Sequence, residues 1–497
     1  MRKIILSSLI LFQTLLLADK IDDSNNGITA YDGKNYIEAA YWFSKAAKEG
    51  EASAQANLAI MYYLGQGIKQ DYAEALYWFE NSANQGNPTA QLNLGNMYKN
   101  GVGTLQDYEK AHYWFEQAAN WGDAYAQFNL GELYYLGLGV KQNYENALHW
   151  FEKSAENEQI EAQYYLGTMY ENGLGTPKDL QKAFYWYQKV ALQNNANAQH
   201  TLGYMYEKGL GVDQNYREAF YWYEKAAMAK LPYAKYNLAS LYYRGLGVEQ
   251  SYKEAFNWYE KAAKQNYADA QVRLAYMYDE GKGIEQSFQK AFYWYGKAAI
   301  LGNSTAQLNL AIMYHSGQGT SKDLEKAAVW YERAAKANKV AAQYNLAQLY
   351  YEGGDIEQDY SLAIYWFKQA AHHKIADAQY KLGEIYFNGL DGIKNYPNAL
   401  FWYEEAAKQN VAKAQHKLGQ IYYNAEVVPQ DYKKAFYWYE KAAQQGEVAA
   451  QYVVAYMYEF GQGTDFDYEK AVEWYKKAYD SGYLEAQIRL DKLLKAK

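Results

Sequence analysis

The segment REAFYWYEKAAMAK, Arg217–Lys230, places four aromatic residues in a row: Phe220, Tyr221, Trp222 and Tyr223. An α-helix turns through ~100° per residue, so four consecutive rings cannot share one face. On a helical projection Trp222 and Tyr223 fall on one broad apolar face, with Phe220 at its edge. Tyr221 falls nearly opposite. We therefore predict that three of the rings hold the fold together and that Tyr221 points away from the core.

The tryptophan of this segment belongs to a strict series that covers most of the chain. Ala lies three residues before each member, Phe or Tyr follows it, and Asn, Asp or Ser lies seven residues before it, where an N-cap is expected. In Asp71 with Glu74 and Asn215 with Glu218 the spacing is that of a capping box. Each tryptophan thus marks a helix, named B. Thirteen of the 14 tryptophans are spaced 36 residues apart: Trp42, Trp78, Trp114, Trp150, Trp186, Trp222, Trp258, Trp294, Trp330, Trp366, Trp402, Trp438 and Trp474.

A second helix, named A, follows each B helix. Its pattern is AQ..LG..Y, as in AQYYLGTMY at Ala162–Tyr170, where Leu and Tyr four residues apart share one face. A G-x-G pair such as Gly209 and Gly211 comes next. It lacks the Lys-Ser/Thr of a phosphate loop, so we expect the first Gly to end helix A in a left-handed conformation and the second to shape the turn. Short turns on both sides predict antiparallel helical hairpins.

At this point the repeat resembles the Sel1-like family, a relative of tetratricopeptide arrays. The resemblance covers residues 35–497 and implies an all-α fold, a right-handed α-solenoid of antiparallel hairpins with a 36-residue period. We expect a lone B helix first, then 12 A–B hairpins, and a C-terminal A helix around Leu490 that caps the array. The family also implies a scaffold that binds a protein or peptide, with the A helices lining a concave surface.

The N-terminus has the pattern of an export signal. Arg2 and Lys3 precede an apolar stretch at residues 4–17, and Ala18 provides a small residue for cleavage. We predict a signal peptide at residues 1–18, a short linker at 19–34, and export to the periplasm or the medium if the source is bacterial. An uncleaved anchor is the alternative, but the stretch is shorter than the ~20 residues that span a bilayer. After cleavage no stable transmembrane segment is expected.

Composition excludes several functional classes. The chain of 497 residues has no cysteine and a formal net charge of −8, so disulfides are excluded and nucleic-acid binding is not expected. The seven histidines show no HExxH motif. Ser287–Lys290 spells S-x-x-K, but S-D-N and K-T-G are missing. We predict no catalytic residue, no metal site and no cofactor, and hence no enzyme.

Tyrosines of the A helices are the best candidates for partner contact. On the projection they lie opposite the central Leu, and rings with a polar tip are favoured in protein interfaces. Acidic residues lie among them, and we expect these to set register and favour basic partners: Glu132, Glu171, Glu207, Asp279 and Glu384. The alternative is that many of the rings pack between A helices. The ten candidates are Tyr164, Tyr204, Tyr236, Tyr243, Tyr276, Tyr344, Tyr351, Tyr380, Tyr423 and Tyr452.

Three consecutive A–B loops depart from the G-x-G pattern. The second glycine becomes Asp355 and then Asp391, and the third loop has Ala425 and Val427 instead of both glycines. We predict altered loop geometry from about Gly353 to Pro429. It represents either a local binding or hinge feature or drift in a tolerant loop.

Two other functions stay open beside the scaffold. One is an envelope enzyme of the β-lactamase-like or cell-wall type, and the other is a structural spacer without a ligand.

Overall fold

The computed structural model describes residues 21–495, which form 27 helices and no strand. From α3 onward odd-numbered helices are A helices, even-numbered helices are B helices, and consecutive helices pack as hairpins within each of two compact units. The predicted all-α solenoid of antiparallel hairpins is confirmed. The predicted signal peptide, residues 1–18, lies outside the described residues.

The first unit extends to Gln250. Its first helix, α1, covers residues 21–32. The others are α2 (Tyr36–Lys48), α3 (Ala52–Leu64), α4 (Tyr72–Asn84), α5 (Pro88–Asn100), α6 (Tyr108–Asn120), α7 (Ala124–Leu136), α8 (Tyr144–Glu156), α9 (Ile160–Asn172), α10 (Leu180–Leu192), α11 (Ala196–Lys208), α12 (Tyr216–Met228) and α13 (Pro232–Arg244).

The second unit begins at Ser251. Its helices are α14 (Tyr252–Ala263), α15 (Ala268–Glu280), α16 (Phe288–Ile300), α17 (Ser304–Ser316), α18 (Leu324–Lys336), α19 (Val340–Glu352), α20 (Tyr360–His372), α21 (Ala376–Asn388), α22 (Tyr396–Lys408), α23 (Ala412–Asn424), α24 (Tyr432–Gln444), α25 (Val448–Phe460), α26 (Tyr468–Asp480) and α27 (Leu484–Lys495).

The predicted N-caps are confirmed in all 13 B helices, where an Asn, Asp or Ser side chain accepts from a backbone N–H of the first turn. Asp71, for example, accepts from the N–H of Glu74 at 3.1 Å. The Glu74 carboxylate accepts from Trp78 Nε1 at 3.2 Å instead of closing the capping box.

Helix α1 replaces part of the predicted linker. Residues 19–34 were expected to be a linker before a lone B helix, but residues 21–32 are helical and pack on α2. A Cβ at Gly27 would lie 2.6 Å from the ring of Phe43, and Asp23 pairs with Lys45 at 2.9 Å. The segment lacks the AQ..LG..Y pattern, so the repeat signature did not reveal it.

The ring that follows each tryptophan is the centre of each hairpin. This Phe or Tyr is at most 4% exposed in all 13 B helices. Only Trp222 and Trp366 are buried, whereas the other 11 tryptophans of the series are half-buried. The expectation that the tryptophan column is core thus holds only in part. Where the A helix has Gly beside its central Leu, as in Gly203, a Cβ would lie 2.7 Å from the ring of Tyr223.

The glutamine of the AQ pattern joins each A helix to the preceding B helix. Gln199 is buried, and its Nε2 donates to the carbonyl of Ala191 at 3.2 Å, at the end of α10. Such a bond satisfies a carbonyl that the helix end leaves without an intrahelical partner. The same bond recurs from Gln55, Gln91, Gln127, Gln163, Gln271, Gln307, Gln343, Gln379, Gln415 and Gln451.

The loop glycines act as predicted. Gly209 ends α11 with φ of 68°, in the left-handed region. Gly211 also has positive φ, and a Cβ there would lie 2.0 Å from the carbonyl oxygen of Leu180, so no larger residue fits.

The predicted change of loop geometry is present but differs from loop to loop. Gly353 keeps a positive φ but has ψ of −142°, in contrast to the left-handed C-caps of the other A helices between α3 and α25. The next loop places Gly392 at φ of 99°. In the third loop Ala425 takes φ of 56° and ψ of 35°, so the left-handed cap is retained despite its Cβ.

Candidate functional site

The ten predicted tyrosines lie on the A helices, and none is fully buried. Tyr204 is the one exposed member, at 41%, and the others are half-buried. The rings are therefore neither free anchors nor strict core, and partner contact through them stays a prediction.

The rings two residues before the central Leu pack on the buried ring of their own hairpin. Their centroid distances are 5.4 Å for Tyr164–Tyr187, 5.8 Å for Tyr344–Phe367, 5.8 Å for Tyr380–Tyr403 and 5.5 Å for Tyr452–Tyr475. Burial raises the pKa of Tyr344 and Tyr380, so their hydroxyls stay protonated at neutral pH and can donate hydrogen bonds.

One groove brings two of the ten tyrosines together. It has a volume of about 360 Å³, within the size range of ligand pockets, and lies among α23, α24 and α25 of the second unit. We call it the tyrosine groove. It is lined by His416, Gln420, Tyr423, Asn424, Tyr439, Tyr452, Val453 and Tyr456.

The groove is aromatic, and its polar atoms are mostly uncharged. Tyr423 donates from its hydroxyl to Gln462 Oε1 at 2.8 Å, which fixes the ring. Burial lowers the pKa of His416, so its imidazole is neutral at pH 7, although Glu447 Oε1 lies 4.0 Å from Nδ1. The guanidinium of Arg489 lies 5.3 Å from the centroid of Tyr456.

The groove also includes residues beyond the ten candidates. Tyr456 occupies the same repeat position as Tyr204 and Tyr276 but was not among the ten candidates. His416 occupies the position of Tyr452 in its own repeat, and a substitution of His for Tyr at that position was the available signal. Tyr164, Tyr204, Tyr236 and Tyr243 belong to the first unit and do not line this groove.

Three of the acidic residues of the A helices are paired within the chain. Glu171 accepts from the Tyr187 hydroxyl at 2.8 Å, and Glu207 accepts from the Tyr223 hydroxyl at 2.9 Å. Glu132 pairs with Lys99.

Of the two further members, Glu384 is 2.8 Å from Lys381, whereas burial raises the pKa of Asp279. Four of the five carboxylates thus have partners within the chain, and a part for the five in setting register for a basic partner stays a prediction.

The outward column of B-helix rings is exposed, as predicted for Tyr221. Tyr221 is 44% exposed and meets Trp222 edge to face at 5.1 Å. The ammonium of Lys225 lies 4.6 Å from the centroid of Tyr221, so the chain itself covers part of this ring.

The described part of the chain offers few groups arranged for metal binding or catalysis. Residues 21–495 contain no group of three or more His, Cys, Asp or Glu side chains placed to hold a metal ion. Ser287 of the S-x-x-K motif is the N-cap of α16 and accepts from the N–H of Lys290 at 3.4 Å. Among the same residues, no helix combines the length and apolar character that a bilayer crossing requires.

The repeated hairpins and their caps define a helical-repeat protein of the tetratricopeptide-like class. The Sel1 repeat matches thirteen segments, and the chain belongs to the Sel1 repeat family. The fold is typical of protein–protein interaction scaffolds. The matched segments are residues 26–51, 52–87, 88–123, 124–158, 160–195, 196–231, 232–267, 268–303, 304–339, 340–374, 376–411, 412–447 and 448–483.

Two solved structures support this assignment. A protective antigen of uropathogenic Escherichia coli strains, which displays an SLR fold, is 34% identical over 91% of this chain and 97% of that one, with a TM-score of 0.68. A Sel1 repeat protein from Oxalobacter formigenes is 32% identical over 62% of this chain and 89% of that one, with a TM-score of 0.52. No curated protein matched the chain.

Proposed function

We propose that this protein is an exported scaffold that binds a protein or peptide segment in the tyrosine groove. The observation that carries the proposal is the groove itself, in which Tyr423, Tyr452 and Tyr456 leave ring surface accessible around a volume of about 360 Å³. Rigid aromatic side chains bury large areas at low entropic cost, which suits them as anchors.

The chemistry of the lining indicates what the partner presents. His416 is neutral at pH 7, and the side chains of Gln420 and Asn424 offer both donors and acceptors. The partner segment accordingly carries an apolar or aromatic side chain with hydrogen-bonding groups beside it. The acidic residues of the A helices have no assigned part in this partner choice, because several of them are paired within the chain.

Site-specific photo-crosslinking tests this proposal. Benzoylphenylalanine replaces Tyr456 in the groove, and a matched variant carries it at Tyr437, which is 50% exposed on B helix α24. The proposal predicts one adduct of defined mass from position 456 in native cells and none of that mass from position 437. The same adduct from both positions, or no adduct from 456, would overturn it. Hydrolysis of a β-lactam or of cell-wall fragments by the pure protein would favour the enzyme alternative.

Export rests on the sequence pattern of residues 1–18 and is tested separately. We expect the intact mass of the protein isolated from the source cells to correspond to a chain that begins at residue 19. A mass that includes residues 1–18, with the protein in the cytoplasmic fraction, would refute export while leaving the groove proposal untouched.

A further inference from the structure

A recurring three-residue arrangement lies on the B-helix side of the hairpins. A tyrosine near the end of an A helix donates its hydroxyl to a glutamate of the preceding B helix, while a lysine of the following B helix lies over its ring. Tyr98 donates to Glu80 at 2.7 Å, Tyr170 to Glu152 at 2.9 Å and Tyr422 to Glu404 at 3.5 Å. The corresponding lysines, Lys110, Lys182 and Lys434, lie 5.0, 4.9 and 5.1 Å from the ring centroids.

The arrangement is incomplete at Tyr314 in the second unit. Lys326 lies 5.6 Å from the ring centroid, as in the other repeats, but the glutamate position is occupied by Gly296. Within residues 21–495 no acceptor is found for the Tyr314 hydroxyl. The repeat thus keeps the donor and the cation but lacks its carboxylate.

The missing side chain leaves a cleft of about 280 Å³. A Cβ at Gly296 would meet nothing within 4 Å. Two of the residues that line the cleft are well exposed, Ile300 at 75% and Tyr293 at 54%. We call it the Gly296 cleft, and its lining residues are Phe292, Tyr293, Gly296, Lys297, Ile300, Leu310, Tyr314 and Trp330.

A second repeat supports the link between a small residue and an open surface. The glutamate position of α2 is Ser44, and a cavity of about 570 Å³ lies against it, lined also by Ile37, Tyr41 and Lys45.

We propose that the Gly296 cleft binds a glutamate side chain of a protein partner, with an apolar neighbour of that glutamate on Ile300 and Trp330. The partner's carboxylate would accept from the Tyr314 hydroxyl and lie near the ammonium of Lys297 at the rim, completing the arrangement that Tyr98, Tyr170 and Tyr422 complete with a glutamate of this chain. Lys326 forms an ion pair with Asp323 at 2.8 Å, so Lys297 is the lysine more available to pair with the partner's carboxylate. This surface is distinct from the tyrosine groove and does not depend on it.

Paired peptides test the proposal on the full chain. The probes are acetyl-Leu-Glu-Phe-amide and acetyl-Leu-Gln-Phe-amide, followed through the δ1-methyl signal of Ile300 in isoleucine-labelled protein. We expect the Glu peptide to shift this signal at a concentration on the order of tenfold lower than the Gln peptide. The variant Gly296→Glu, which restores the internal carboxylate, should stay folded and lose the response.

The opposite substitution provides a matched control. Glu152→Gly removes the carboxylate that Tyr170 uses in the first unit, keeps Lys153 at the position of Lys297, and is expected to create a second site for the Glu peptide. Equal shifts with both peptides, no shift with the Glu peptide, or an unchanged response in Gly296→Glu would overturn the proposal. Tighter binding of hexanoate than of the Glu peptide would also overturn it and indicate a small amphiphilic carboxylate instead.

Discussion

Tyr223 donates a hydrogen bond of 2.9 Å to the carboxylate of Glu207 inside the α11–α12 hairpin. Arg244 Nη2 and Lys208 Nζ lie 2.9 and 3.0 Å from the same carboxylate. A nearly buried charge is thereby satisfied by a neutral donor and two cations. The contact explains why a tyrosine replaces phenylalanine at the centre of this hairpin.

The protonation of Glu207 should make hairpin stability depend on pH. Burial alone would raise its pKa, but the hydrogen bonds from Arg244, Lys208 and Tyr223 outweigh burial and leave the pKa below the ordinary 4.5. Because the folded-state pKa is depressed, the stabilisation is complete above pH 4.5 and is lost as the pH falls through the folded-state value.

We therefore expect Glu207→Gln to cost about 1–3 kcal/mol at pH 7, with the difference from wild type shrinking as the pH falls below the ordinary glutamate pKa. Native-state hydrogen exchange of the α11 and α12 amides measures this locally. Tyr221→Phe, which changes an exposed ring, serves as the control. A penalty that is the same at pH 7 and at pH 3 would contradict the assignment.

The buried glutamine predicts a second stability difference. Gln199→Ala leaves the Ala191 carbonyl without its donor and should cost about 1–3 kcal/mol. Gln487 occupies the same repeat position in α27 but is exposed, so Gln487→Ala should change stability by less than about 0.5 kcal/mol. Thermal unfolding of both variants checks the contrast, and equal losses would argue against the role of the side-chain bond.

Adjacent rings of α22 should differ in importance. Tyr403 is 1% exposed, whereas Trp402 is half-buried. We expect Tyr403→Ala to cost about 3–5 kcal/mol and Trp402→Ala clearly less, although tryptophan is the larger residue. Urea unfolding of the two variants measures the order, and a greater loss for Trp402→Ala would show that the tryptophan column is the core after all.

The left-handed alanine of the third unusual loop offers a stabilising substitution. Ala425 has φ of 56°, a conformation that costs an L-residue with a Cβ roughly 1–2 kcal/mol. Ala425→Gly should raise stability by about 1 kcal/mol, and the reverse change at Gly209, with φ of 68°, should lower it by a similar amount. If differential scanning calorimetry shows that Ala425→Gly lowers the melting temperature, the loop is held by contacts other than its cap.

The periodic features of the sequence predicted the periodic features of the fold. The N-cap residues, the left-handed glycines and the outward position of Tyr221 follow from local rules that act within one hairpin. The identity of the deepest ring did not follow, because Trp222 and Tyr223 are close on a helical projection and neighbouring helices decide which is covered. Helix α1 lacks the repeat signature, and its role depends on Gly27 meeting Phe43 in space.

The accessibility of the site residues was less predictable than the fold, because it also depends on contacts between neighbouring helices. The column of A-helix tyrosines could be read from the sequence, but their accessibility depends on the ring beneath each of them, as in Tyr380 on Tyr403. The pairing of Glu207 with Tyr223 is a contact between helices, so the sequence could not show that this acid is unavailable to a partner.

The most direct test of the account is the affinity of the partner captured at position 456 for groove variants, measured by isothermal titration calorimetry. Tyr452→Ser with Tyr456→Ser should weaken binding by tenfold or more, about 1.4 kcal/mol, while circular dichroism remains unchanged. Tyr365→Ser with Tyr437→Ser, on the exposed B-helix column, should leave the affinity unaltered. Unchanged affinity in the folded groove variant, or an equal loss in the outer variant, would contradict the account.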